Sequence, residues 1–508
     1  MPPARTISVL ALAASSICLA QPARRPVHGP LHPFPDPVLL TSTDVAAVVE
    51  AAASSVNSDA MVIAVTDRQG NILAIYQKPS APATAEANFG VQAGTQEVAV
   101  ALARTAGFFS NDQAPLSSRT VRYISGIHFP PGINFTANAP LYGIENTNRG
   151  CSFNADYILG KEFPAARSND GSTTGLGILT GKANLNDGDP GAVNPGGVPL
   201  YKQGVMVGGI GVAGVSADVA EFAAYSGAVD AGFGANPAPP GVVIINGFAV
   251  PFVNQTTRPA GYGAGSADGM YERGPLASPN APPEGDLVAP HAGPVGGLTK
   301  DEVESIVSAA VAEANLTRAV IRLPVGARTR MTIAVADLDG TIIALHRMPD
   351  ATVFSIDVAV AKSRNVIFFS GADRKASDLP GVPMGTAVTN RTIGFGAQPI
   401  YPPGIDGAAP GPFFQLYQFD TLHPCTQGSQ AANPNQNGIV FFPGSLPLYQ
   451  NGVLVGGLGV SGDGVDQDDF VTSAGAAGFN APANIQADQI IDQGVRLPYL
   501  KFPRNPTD

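Results

Sequence analysis

The apolar positions of this chain fall into two series of the same design. Residues 62–66 and 72–76 are short, apolar and rich in β-branched side chains, and Asp67-Arg68-Gln69-Gly70 stands between them. Residues 332–336 and 342–346 repeat that pattern around Asp337-Leu338-Asp339-Gly340. Two such runs flanking a turn-forming tetrapeptide predict a β-hairpin. Ahead of each hairpin lies a helix-opening signal, Thr41-Ser42-Thr43-Asp44 or Thr299-Lys300-Asp301-Glu302, with a hydroxyl followed three residues later by a carboxylate. An Ala/Val-rich segment after each hairpin (about 95–110 and 356–370) predicts a helix, and a glycine-rich strand then leads into a last helix near 216–232 and 464–478. Helices and strands in this mixed order, without regular βαβ alternation, predict α+β domains with antiparallel sheets flanked by helices.

The two series are related in sequence. Residues 62–76 share seven of fifteen positions with 332–346, residues 97–110 share eight of fourteen with 357–370, and residues 204–214 share eight of eleven with 452–462. Three collinear matches point to an internal duplication. The expected organisation is a segment 1–20, a Pro-rich leader 21–39, a first domain 40–254, a Gly/Pro-rich linker 255–297 and a second domain 298–504.

Charge and composition narrow the functions. Of 508 residues only 14% are charged, and 29 basic against 40 acidic residues leave a net charge of −11, which argues against nucleic acid as a partner. No apolar run reaches the length of a membrane-spanning helix. Arg5, the apolar run Ile7–Ala14 and the small residues Cys18 and Ala20 read as a secretory signal, so a secreted or periplasmic location is expected. Beyond that segment two cysteines remain, Cys151 and Cys425, and in an exported chain two such thiols form a candidate disulfide; two buried free thiols are the other reading.

Gly209, Gly211 and Gly214, like Gly457, Gly459 and Gly462, satisfy a GxGxxG spacing. They close each domain instead of opening a βαβ unit, so they predict a strand on which another backbone packs closely, not a dinucleotide site. Asp337 and Asp339 begin like a calcium loop but lack its remaining ligands. Ser461 stands in no nucleophile elbow and is Ala213 in the first copy.

The Leu-Thr helix openings (Leu40-Thr41, Leu298-Thr299), the Val-x-Asp-x-x-Gly hairpins, Arg347-Met348-Pro349-Asp350-Ala351, the helix containing Ala359, Lys362, Ser363 and Arg364, and Leu446-Pro447-Leu448 before the last strand together resemble the GlcG/HbpS family of haem-binding proteins. The resemblance implies two tandem profilin-like domains, haem or another tetrapyrrole as cofactor, and association into a homo-oligomer. Haem iron wants an axial donor such as His or Tyr. His346 ends the second strand of the second copy and Tyr76 stands at the same place in the first, so His346 is the metal-ligand candidate and Tyr76 its counterpart; packing of a strand-end ring against the sheet is the competing reading. Arg347 and Lys362 are candidates to pair with propionates or another small carboxylated ligand, or else to form internal salt bridges with Asp350 or Asp357. The first copy carries Gln77 for Arg347 and Leu102 for Lys362. The reading is therefore an exported, non-catalytic haem or tetrapyrrole binder. An exported enzyme acting on a small hydroxy acid or carboxylate, and a structural or interaction protein of the cell envelope, are the competing readings.

Overall fold

The computed structural model describes residues 37–126, 128–129, 133–135, 141–151, 178, 194–235, 244–245 and 248–507; the segment 1–20 read as a secretory signal and most of the expected leader lie outside them. Val38–Asp508 form one compact unit.

The first half runs α1 (Ser42–Ser54), β1 (Val62–Asp67), β2 (Ile72–Gln77), α2 (Thr95–Phe109), α3 (Ser118–Ser125), β3 (Gly197–Lys202), β4 (Val205–Ala213), α4 (Ala217–Val229) and β5 (Met270–Arg273). The second runs β6 (Gly285–Val288), α5 (Lys300–Leu316), β7 (Thr332–Ala336), β8 (Ile342–Arg347), α6 (Phe354–Ser370), α7 (Asn390–Gly396), α8 (Phe414–Leu422), β9 (Ser445–Gln450), β10 (Val453–Ser461) and α9 (Val465–Gly475). Two five-stranded antiparallel sheets result, ordered β3-β4-β1-β2-β5 and β9-β10-β7-β8-β6, which is one topology twice. Register repeats as well: Val62 faces Ala213 where Thr332 faces Ser461. Thr41 and Thr299 close their helices with reciprocal capping boxes, as the hydroxyl-to-carboxylate spacing predicts.

The GxGxxG strands are close-packing surfaces. A Cβ at Gly211 would overlap the carbonyl oxygen of Ala99 in α2, and a Cβ at Gly459 that of Ala359 in α6. Each helix therefore lies with its backbone directly on the glycine-rich strand, β4 or β10. Helices α1 and α4, or α5 and α9, cover the opposite face of each sheet over a fully buried apolar layer.

Residues 255–297 are not the plain linker expected from their composition. They supply β5 to the first sheet and β6 to the second, each as an outer strand. The halves are also fused along a shared core in which Phe109 stacks on Phe354 at 4.1 Å between ring centroids. Beside that core, Arg68 of the first half reaches Asp350 of the second at 2.6 Å. Asp350 also takes Arg322 at 2.6 Å, and Arg322 continues to Asp463. A disulfide joins Cys151 to Cys425, with Cα atoms 5.6 Å apart, and so ties one half to the other.

One turn carries a pH signature. Asp67 accepts hydrogen bonds from the Gln69 and Asn71 amides, 2.9 Å each, and closes the first hairpin. Burial pushes its carboxyl up from 3.8 to about 6, against the lowering effect of those bonds. The folded chain thus holds this proton more tightly than the unfolded one. Its contribution to stability is full below about pH 4 and is lost as pH rises through about 6. Asp67→Asn, which keeps an acceptor oxygen, is expected to match the wild type near pH 4 and to exceed it by roughly 3 kcal/mol at pH 8. Urea unfolding at both pH values measures the difference; an equal gap at both rules out the titration.

Candidate functional site

His346 sits at the end of β8, where the register sets it opposite Asp286 of the outer strand β6. The two side chains meet, Nδ1 of His346 lying 2.7 Å from Asp286 Oδ1. The imidazole side chain is 21% exposed, so it is held by a carboxylate on one nitrogen while still reaching solvent. A histidine fixed in this way by a carboxylate is the arrangement that orients metal-ligating imidazoles. The residues present at this position therefore fit an axial iron ligand: Nδ1 is engaged and Nε2 is the nitrogen left for the metal.

The first half closes the same place. Tyr76 is buried, its hydroxyl accepts the Gly269 amide at 2.6 Å, and Tyr271 packs edge-on against its ring at 5.1 Å. Here β5 covers the phenol that β6 leaves accessible as an imidazole.

Arg347 and Lys362 do not join His346 in a ligand cradle. Arg347 is fully buried; its guanidinium donates to the Ala351 and Pro283 carbonyls and lies 3.7 Å from Glu284, so it pins the loops on either side of its strand. Lys362 is equally buried and donates to the Val460 carbonyl at 2.8 Å and to Asp468 at 3.0 Å. Burial lowers the Lys362 ammonium and pushes Asp468 up to about 7, each opposed by the charge of the other. Neither cation is offered to an outside carboxylate. The salt-bridge partner is Asp468 and not Asp350 or Asp357, because α6 lies against β10 and turns Lys362 toward α9. The sequence carried a signal for this pair: the positions matching Lys362 and Asp468 in the first half are Leu102 and Ala220, so both charges are absent together. Replacement of a buried ion pair by apolar side chains is energetically neutral or better.

A cavity of about 730 Å³ opens elsewhere, at the far end of the β7–β8 hairpin from His346. Leu338, Arg364, Phe368, Met384, Tyr449 and Leu454 are among the residues that line it. Among the described residues its lining includes no histidine or cysteine, burial pushes the Tyr449 hydroxyl up to about 12, and the donor it offers to iron is the Met384 thioether. The cavity and the accessible imidazole are thus separate features. Among the described residues no group of three or more His, Cys, Asp or Glu side chains forms a metal centre. Asp337 accepts the Leu338 amide at 2.9 Å within its hairpin turn and the Val295 and Gly296 amides of the segment ahead of α5.

Residues 298–477 match the family described as haem degrading protein HbpS-like. The corrinoid adenosyltransferase PduO of Salmonella typhimurium is 26% identical over 165 residues, which are 32% of this chain and 37% of that protein. The chain therefore matches little more than a third of this curated relative's length. Similar solved structures include a PduOC–haem complex (22% identity, TM-score 0.24, 36% of this chain and 94% of that one). Another is the Streptomyces reticuli HbpS double mutant (21% identity, TM-score 0.21, 40% of this chain and 97% of that one). A third is Klebsiella pneumoniae protein ORFY (18% identity, TM-score 0.23, 35% of this chain and 88% of that one).

Proposed function

We propose, from the premise that residues 298–477 belong to the HbpS-like family, that this chain is an exported haem or tetrapyrrole binder whose second half holds the ligand and whose first half is a closed duplicate of the same profilin-like domain. The observation that carries the ligand site is the His346–Asp286 pair, a partly exposed imidazole with one nitrogen fixed at 2.7 Å by a carboxylate. When bound, haem would supply an iron centre. The chain would supply the donor nitrogen and its orientation, with Asp286 favouring a proton on Nδ1 and leaving Nε2 basic. The first half would contribute no ligand, since Tyr76 is buried against Gly269 and Tyr271. Reading the chain as an enzyme for small carboxylates loses its anchors with Arg347 and Lys362 both buried in internal partnerships.

Titration of the purified chain with haemin is expected to give a saturable Soret shift. His346→Ala should change the spectrum of the complex, and Asp286→Ala should weaken binding about 10–100-fold with the same spectral type retained. No saturable shift in the wild type would end the proposal. A Soret band that forms and then bleaches with a reductant present would make the chain a haem-degrading enzyme instead of a binder.

A further inference from the structure

The cavity in the second half has a counterpart in the first, and there it is filled. Aligned through the three repeat matches, Leu338, Ala372, Asp373 and Leu454 of the cavity correspond to Arg68, Asp112, Gln113 and Met206. The correspondence is structural too: Arg104 donates to the Gly70 carbonyl as Arg364 does to that of Gly340, and Tyr201 pairs with Met206 as Tyr449 does with Leu454. In the first half these positions receive a plug from the second. Asp350 meets Arg68 at 2.6 Å and takes the Asp112 amide at 3.2 Å. Gln113 exchanges hydrogen bonds with the backbone of Leu323, donating through Nε2 at 2.9 Å and accepting at its carbonyl at 3.3 Å.

Among the described residues the reciprocal contact is not made. Ser80 is the first-half counterpart of Asp350, and Pro79 and Ser80 stand exposed on the surface. The cavity that would receive them is open, with Val453 and Met384 on its lining 64% and 47% exposed. A contact of this kind is head-to-tail, and among its described residues one molecule leaves both the plug and the socket uncovered. The two have changed together. Where the internal interface sets Arg68 against Asp350, the free socket offers Leu338 and the free plug offers Ser80, so neither side keeps a charge that would be stranded.

We infer that the cavity beside Leu338 is the socket for a second copy of this chain, which inserts its Pro79–Ala83 loop and repeats, without the ion pair, the contact that joins the two halves. Exposed apolar side chains at Val453 and Met384 are then covered in the assembly.

Sedimentation velocity on the full apo chain tests this independently of any haem binding. Over roughly 1–100 μM, affinities in the micromolar range become visible as mass, and the wild type is expected to rise above its 51.8 kDa monomer. Leu338→Arg should weaken association about tenfold or more by setting an unmatched charge in the contact. Ser80→Arg, at an exposed position outside the socket, should do the same without risk to the fold. Combining Leu338→Arg with Ser80→Asp recreates the Arg68–Asp350 pairing and should restore association, now weakening with salt. A wild type that stays monomeric throughout, or association untouched by both single variants, overturns the inference.

Discussion

Replacing Arg322 with alanine is expected to cost the fold about 3–5 kcal/mol, the penalty for leaving a buried charge without its partner. Arg322 and Asp463 have no exposed side-chain surface and are bonded directly to one another. Arg322 also clamps Asp350 through its carboxylate at 2.6 Å and its carbonyl at 2.8 Å, and so holds the plug seated against the first half. Burial already raises the Asp463 carboxyl against the lowering effect of Arg322, so loss of the guanidinium makes its protonation easier still. The variant should therefore be hit hardest at neutral and alkaline pH and partly recover in acid. Adding Asp463→Asn should return part of the loss. Urea unfolding reads both; a loss under about 1 kcal/mol would mean that the network contributes nothing beyond local packing.

Reduction of the Cys151–Cys425 disulfide is the second large effect. The bond spans 274 positions of sequence and links opposite halves. Constraint of the unfolded chain grows with loop length, and a loop of this size falls at the upper end of the usual range, about 3–5 kcal/mol. Unfolding with and without a reductant, and of Cys151→Ser, should agree on that loss. A bond of this kind persists in oxidising compartments, which fits the export expected from the first twenty residues. An unchanged unfolding midpoint after verified reduction would show that the interface alone fixes the halves.

The elements with a strict period were legible in the sequence. Both hairpins, both capped first helices, the long α2 and α6 and the role of the glycine strands follow from local pattern and local sterics. The outer strands β5 and β6 did not, since Met270–Arg273 and Gly285–Val288 lie among glycines and prolines and acquire strand structure only from the neighbours they pair with. Asp286 was missed for the same reason, whereas His346 was found because it ends a periodic run. Helices α7 and α8 were hidden in a Gly/Pro/Asn-rich stretch. Lys362 and Arg347 looked like ligand groups because sequence shows charge without burial. The socket depends on surfaces some thirty to a hundred residues apart and has no sequence pattern of its own.

The two outer strands have a practical consequence for where this gene can be divided. The family-matched segment begins at Leu298, ten residues beyond the end of β6 at Val288. A fragment cut there would carry every recognisable motif of the second half yet leave β8 as a bare edge, with its hydrogen-bonding groups open to aggregation and Asp286 gone from His346. A first half ending at residue 254 would lose β5 and uncover Tyr76 in the same way. The unit that sequence comparison recognises is thus smaller than the unit that folds, and each half has to be cut within residues 274–284 to keep its own border.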